Sequence, residues 1–322
     1  MTDGETEPAG PSGEPARRTI RVMGVLNVTP DSFSDGGQNF DRDRAIARGL
    51  EMVAEGADVI DVGGESTRPG AEPVDPHAEA ARVIPVIEHL AAAREQHDDG
   101  ESGHFRISID TRNSATARLA VAAGVDLIND VSASLWHVAA ECGVGWVAMH
   151  MLGDPRTMQK SPVYGDVVDE VRSFLVDRAG AALEAGVSEV WIDPGIGFGK
   201  TTRHNLELLA RLDELVSEGF PVLIGTSRKR FLGELTGLSD AAADTRALAV
   251  RRNAAGGGSG LDSADALHGH VAQSGVPVTD RLEASVASAV WAMSKGATMV
   301  RVHDVRATAE AVAVIQGSIP ER

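Results

Sequence analysis

Eight apolar runs of five to seven residues punctuate the chain, at 22–28, 57–62, 105–111, 125–130, 144–150, 189–193, 221–227 and 297–303. Runs this short, bounded by Gly, Pro and Asp, predict buried strands. Nearly all are separated by helical patterns. Ile46, Leu50 and Val53 recur at i, i+4, i+7, as do Val83, Ile87 and Leu90; Val167, Val171 and Phe174; and Leu208, Leu212 and Leu215. Each such stripe predicts an amphipathic helix with that face on the core. Gly56 and Gly124 stand where the first and third helices should stop, and a closing helix runs through Val312 and Ile315.

Strand–helix alternation implies right-handed crossovers and a parallel sheet. Eight units over roughly 250 residues suit a closed (β/α)8 barrel, the TIM barrel, in a single α/β domain. An open doubly wound sheet is the competing architecture. The polar residues separate the two. Asn27, Asp61, Asp110, Asn129, His150, Asp193, Ser227 and Arg301 with His303 each lie at or near the C-terminal end of a run. A barrel gathers those ends at one mouth, whereas an open sheet spreads them along an edge.

Two stretches fall outside the alternation. Residues 1–20 are polar, acidic and rich in Pro and Gly, which predicts a disordered N-terminal tail ahead of a barrel spanning 21–322. Residues 238–280, between the seventh and eighth runs, begin Ala-rich and pass through Gly256-Gly257-Gly258-Ser259-Gly260. They predict a partly helical, partly flexible insertion.

Composition narrows the function. Of 322 residues 43% are apolar, ample for a large core, and 30 basic against 47 acidic residues give a net charge of −17. That balance argues against nucleic acid or an anionic membrane as partner, and no run is long enough to span a bilayer. A cytoplasmic location is expected. The single cysteine, Cys142, excludes an intrachain disulfide framework and a Cys-rich zinc site, and its apolar setting suits an inert thiol.

The segment Gly195-Ile196-Gly197-Phe198-Gly199-Lys200-Thr201 is neither a Walker loop, because Pro194 stands where the first Gly is needed, nor a dinucleotide fingerprint, because Lys200 replaces its last small residue. What remains is a strand-ending carboxylate, Asp193, beside glycines that let a flat ligand approach the backbone. Asp110, Asn129 and Asp193 end three strands with acceptor groups, suited to a planar ligand presenting amino and ring N–H donors. Alternatively each caps a neighbouring helix, as Asp and Asn often do. Arg68, Lys229, Arg301 and His303 follow the second, seventh and eighth runs, where barrels commonly bind phosphate.

These blocks carry a resemblance. Residues 23–37, Gly64-Glu65-Ser66-Thr67-Arg68-Pro69-Gly70, Ser108-Ile109-Asp110-Thr111, Asn129-Asp130-Val131-Ser132, Asp193 to Lys200, Ser227-Arg228-Lys229 and Arg301-Val302-His303 resemble the signature blocks of the dihydropteroate synthase family. The resemblance implies transfer of a dihydropterin-methyl group from its pyrophosphate to p-aminobenzoate. By motif position, Asp110, Asn129, Asp193 and Lys229 would hold the pterin, with Asp110 and Lys229 catalytic. Thr67, Arg68, Arg301 and His303 would hold the pyrophosphate, and Asn27 a Mg2+ ion. Phe33, Thr67, Pro69, Gly197, Phe198 and Lys229 would surround the p-aminobenzoate. A homodimer is implied as well. Two departures are visible: Ala133-Ser134-Leu135-Trp136 is shorter than the family's loop, and 238–280 is atypical. A methyltetrahydrofolate–corrinoid methyltransferase shares the barrel but would need neither Ser227-Arg228-Lys229 nor Arg301-Val302-His303. A non-catalytic paralogue would show eroded loops, and these are intact.

Overall fold

The computed structural model describes residues 19–29, 38–66, 71–96, 105–254, 276–277 and 280–317. Phe33, Thr67, Arg68, Pro69, the Gly-rich tract and most of the N-terminal tail lie outside them.

Eight parallel strands form one sheet in the order β6-β5-β4-β3-β2-β1-β8-β7. They are β1 (Arg21–Asn27), β2 (Val59–Gly63), β3 (Arg106–Asp110), β4 (Leu127–Asp130), β5 (Gly145–Met149), β6 (Val190–Asp193), β7 (Leu223–Ile224) and β8 (Met299–Val302). A parallel bridge between Ile192 and Val222 joins β6 to β7 and closes the barrel. The closed sheet is the predicted (β/α)8 architecture. The seventh run predicted a longer strand, but only its two central residues pair as one.

Helices cover the outside: α1 (Gln38–Ala54), α2 (Pro76–Gln96), α3 (Ser114–Ala122), α4 (Trp136–Cys142), α5 (Val167–Glu184), α6 (Thr202–Ala210), α7 (Leu212–Val216), α8 (Arg230–Ala254), α9 (Leu282–Ser294) and α10 (Val305–Gln316). The core between strands and helices includes Leu26, Ile60, Ile107, Ile128, Ala148, Ile192, Ile224 and Val300, all at most 1% exposed. Alternate residues point into the barrel. There Met23, Val59, Leu127, Val147, Trp191, Leu223 and Met299 form a dry plug.

Several helical expectations shift. The buried stripe of α1 runs through Ala45, Gly49 and Met52, with Ile46 and Val53 at its flanks, whereas Leu50 is 37% exposed. The expected stripe therefore lay one residue off, because Gly49 lets α1 approach Leu26 and Leu90 closely. The single helix expected over Leu208 to Leu215 is two, since the backbone leaves helical range at Arg211 (φ −105°, ψ 27°). Between the fourth and fifth runs the pattern named no helix, yet α4 forms. The Asp130 carboxylate braces the turn leading into it, accepting the N–H groups of Ser132, Ser134 and Leu135 at 2.6–2.9 Å. The first part of the predicted insertion is a continuation of α8, a 25-residue helix. Gly56 and Gly124 adopt positive φ just beyond α1 and α3, as expected.

Candidate active site at the barrel mouth

Inward-facing positions change character along the barrel axis. Above the apolar plug the next positions are Asp61, Ser108, Asn129 and Arg301, and then Asn27, Asp110 and Asp193 at the strand ends. Strand parity sends Asp110, Asn129, Asp193 and Arg301 to one cavity of about 320 Å³, counting its open mouth, with Asp61 and Ser108 wholly buried. Its walls include Asp110, Asn129, Asp193, Lys229, Arg301 and Phe198, with Val131, Met149 and Ile196 supplying apolar surface.

Arg301 organises the floor. Its Nε donates to Asp61 Oδ2 and its Nη2 to Asp110 Oδ2, both at 2.6 Å, and Asn129 Nδ2 donates to the same Asp61 oxygen at 3.0 Å. Asp193 Oδ1 accepts the Gly195 N–H at 2.7 Å. Lys229 Nζ sits 4.0 Å from the centre of the Phe198 ring, a cation–π contact. On the β7–β8 side, Ser227 Oγ and His303 Nδ1 are 3.1 Å apart, and Arg228 forks onto Asp304.

Burial pushes most of these groups toward neutrality. It raises Asp110 to about 7 against the pull of Arg301, and raises Asp193 too, with Lys229 and Arg301 resisting. Burial, then the neighbouring Arg301, lowers Lys229 to about 8. The same pair of causes, with Arg228, lowers His303 to about 3, so its imidazole is neutral at physiological pH. Arg301 is the exception: despite burial, Asp61 and Asp110 hold it more firmly protonated than usual.

Asp110, Asn129, Asp193, Lys229, Phe198 and Arg301 thus share one cavity, and Gly197 adjoins it, a Cβ there lying 3.2 Å from Lys229 Cδ. Asn27 is near: a Cβ built on Gly63 would lie 3.8 Å from Asn27 Oδ1 and 3.9 Å from Asp110 Oδ2. The helix-capping alternative holds for none of Asp110, Asn129 and Asp193: the helices after their strands, α3, α4 and α6, are entered at Asn113, Leu135 and Thr201.

The glycines of the β6 loop need a corrected reason. A Cβ at Gly195 would meet the His150 carbonyl at 1.9 Å, and one at Gly199 the Leu152 carbonyl at 2.5 Å. Both are glycine because two backbone loops touch, while only Gly197 faces the cavity side chains. His150 itself turns from the mouth to pair with Lys200. The motif reading missed two residues, Asp61 as the anchor of Arg301 and Lys200 as a buried cation. Asp61 was detectable from parity with Val59 and Gly63.

A parallel barrel with acceptors, cations and an aromatic wall at the C-terminal mouth defines an enzyme of the ligand-in-mouth type. Comparison with known proteins narrows the class. Residues 23–303 match the model of the pterin binding enzyme family. A dihydropteroate synthase from Mycobacterium leprae is 41% identical over 304 residues, covering 92% of each chain. The solved dihydropteroate synthase of Xanthomonas albilineans with 4-aminobenzoic acid superposes with a TM-score of 0.74 at 41% identity, covering 94% of both chains. The same enzyme in complex with 7,8-dihydropteroate gives 0.71 at 39% identity, over 94% of this chain and 95% of that one. The chain belongs to the pterin-binding enzymes.

Proposed function

We infer that this protein is a transferase of folate biosynthesis. It joins 6-hydroxymethyl-7,8-dihydropterin pyrophosphate to p-aminobenzoate, giving 7,8-dihydropteroate and pyrophosphate, the dihydropteroate synthase reaction. One observation carries the reading: Asp110, Asn129 and Asp193 share a cavity with Lys229 and Arg301, so acceptors for a flat heterocycle and cations for its leaving group are adjacent.

Asp110, Asn129, Asp193 and Lys229 bind the pterin, the acceptors taking its amino and ring N–H donors. Arg301 and His303, with Thr67 and Arg68, take the pyrophosphate. When the exocyclic C–O bond breaks, its electron pair leaves with the pyrophosphate, and positive charge develops on the methylene-pterin. Asp110 stabilises that charge. The arylamine nitrogen then forms the C–N bond and loses its proton. Aniline nitrogens are weak bases, so no strong protein base is needed. Phe198, Gly197 and Lys229, with Phe33 and Pro69, border the p-aminobenzoate.

A Mg2+ ion fits beside Asn27. Among the described residues no group of three His, Cys, Asp or Glu side chains could enclose an ion. The bare Gly63 instead leaves room next to Asn27 Oδ1. One protein oxygen, completed by phosphate oxygens and water, matches the usual preference of Mg2+. Bound there, the ion would neutralise charge on the leaving pyrophosphate.

No helix among the described residues is long and apolar enough to cross a membrane. Exposed apolar side chains on α9 and α10, including Trp291 at 49% and Val314 at 82%, support a homodimer, testable by sedimentation. The deciding experiment is pyrophosphate release with both substrates, with and without Mg2+. Release that requires both substrates and the ion is expected, and none under any condition would overturn the assignment.

A further inference from the structure

Lys200 closes the loop between β6 and α6, immediately before the Thr201 cap of α6, and is only 3% exposed. An ammonium so deep must be compensated. No carboxylate is within hydrogen-bonding distance of it among the described contacts. Its Nζ instead meets His150 Nδ1 at 2.9 Å and the carbonyl oxygens of Gly195 and Phe198 at 3.1 Å and of His150 at 3.3 Å. Burial, then the charge of Lys200, lowers His150 to about 3, so its ring is neutral and Nδ1 accepts. Burial likewise lowers Lys200 to about 7, with Asp193 opposing.

Three carbonyl dipoles aimed at one point repel one another unless a hydrogen-bond donor sits there. The carbonyls come from two loops, one after β5 and one after β6. Those loops are in backbone contact at Gly195 and Gly199, with φ of +64° and +62°. The β5 side is fixed in turn, the His150 ring standing edge-on to Phe174 at 5.1 Å. Tyr164 Oη donates to the Gly199 carbonyl at 2.9 Å. The outer face of the same loop presents Phe198 to the cavity under Lys229, and the Gly197 N–H is held by Asn205 Oδ1 at 2.7 Å.

We propose that Lys200 is a positioning residue for the arylamine substrate: its buried amino group, hydrogen-bonded to both the β5 and β6 loops, locks them together and so sets Phe198 and Gly197 where the p-aminobenzoate ring lies. This rests on the assignment of that ring to the Phe198 wall. Lys200 touches neither substrate. It acts through the shape of the loop; on the pterin side Asp110 and Asn129 stand on other strands, and only Asp193, which accepts the Gly195 N–H, borders the locked loop.

The test is Lys200→Met in the full chain, with both KM values, kcat, and calorimetric binding of the dihydropterin pyrophosphate. The expected result is a rise of tenfold or more in KM for p-aminobenzoate, a loss in kcat of threefold or less, and a loss of pterin affinity of threefold or less, through Asp193 alone. Equal weakening of both substrates, or a p-aminobenzoate KM within twofold, overturns the proposal. Should Lys200→Met not fold, His150→Leu removes one acceptor and leaves the carbonyls. It should raise the p-aminobenzoate KM about threefold while sparing the pterin, and parity between substrates again overturns the role. Hydrogen exchange reads the lock apart from the reaction. Amides at 195–199 should exchange at least tenfold faster in Lys200→Met while those at 132–135 do not change, and unchanged exchange at 195–199 counts against the lock. A wild-type enzyme that exchanges slowly at 195–199 yet releases no pyrophosphate would instead sink the assignment of the reaction and leave the lock standing.

Discussion

The barrel has charges at both ends, and the two ends treat them oppositely. At the base, Arg106 forks onto Glu189 with both bonds at 2.7 Å, Trp191 Nε1 donates to the same carboxylate at 2.8 Å, and Arg21 lies 3.8 Å away. Burial alone would raise Glu189, but the Arg106 fork and the Trp191 donor hold it below its usual value. At the mouth burial wins: Asp110 and Asp193 are raised, Lys229 and His303 lowered. The base is half open to water and its charges are paired, so they favour the fold. The mouth crowds two carboxylates and two cations into one cavity, where Arg301 is the group its neighbours hold most firmly charged. Groups pushed toward neutrality in a cleft are typical of a site that binds or reacts.

The comparison breaks first at Asp110. Asp110→Asn keeps the shape and the oxygen that can accept from Arg301 but removes the charge facing the developing cation. We expect kcat to fall about 10²-fold, ~3 kcal/mol, with pterin binding weakened about tenfold at most. Equal losses in rate and binding, measured by pyrophosphate release and calorimetry, would place Asp110 in binding alone. The pH profile sharpens this. The rate needs Asp110 ionised and Lys229 protonated, so kcat/KM should rise with pH through about 7 and fall above about 8. Asp110→Asn should lose the acid limb and keep the alkaline one.

Stability follows the opposite signs. Asp110 is raised above its unfolded value of 3.8, so its contribution is best at acid pH and declines as pH climbs to about 7. Lys229 is lowered from 10.5, so its contribution is fully present only above 10.5 and declines as pH falls through about 8. The mouth therefore costs the fold most near neutrality, where it works.

Asp61 comes next. It is wholly buried and receives both Arg301 Nε and Asn129 Nδ2. Asp61→Asn should free Arg301 to collapse onto Asp110, lowering kcat/KM for the pterin pyrophosphate about tenfold and stability by ~2 kcal/mol, because a buried pair loses one partner. Combined with Arg301→Gln it should add little to the loss from Arg301→Gln alone. Additive losses would separate Asp61 from Arg301.

Most of this architecture is legible in the sequence because strand parity and strand ends obey simple rules. The eight runs became eight strands. Asn129 and Asp193 reached the cavity because they share parity with the inward Leu127 and Trp191, and Asp110 because it shares parity with the inward Ser108. What escaped depends on tertiary contact. Asp130 reads like Asn129 one residue earlier, yet it faces outward and braces the turn before α4. Leu50 fits a helical stripe, yet the close approach at Gly49 turned the helix by about a residue. Lys200 sits in a phosphate-like motif, but its partners are carbonyls brought together from two loops, which no local pattern encodes.

The smallest effect is expected at the base, and it is the sharpest control. Glu189→Gln removes the charge from the Arg106 fork while keeping an acceptor for Trp191. The carboxylate side chain is 33% exposed and that of Arg106 22%, so water screens the pair, and the expected cost is about 1 kcal/mol, read as a lower urea midpoint. Because Glu189 is lowered in the fold, its contribution is present above the unfolded value of 4.5 and lost as pH falls below it. The difference between variant and wild type should therefore narrow as pH falls below 4.5, the reverse of the trend at Asp110. Both KM values and kcat should stay within twofold of wild type, since the apolar plug of Met23, Leu127, Trp191 and Met299 lies between this cluster and the cavity. A severalfold fall in kcat would mean that charge at the base is felt through the plug, and the two ends would then be one electrostatic unit.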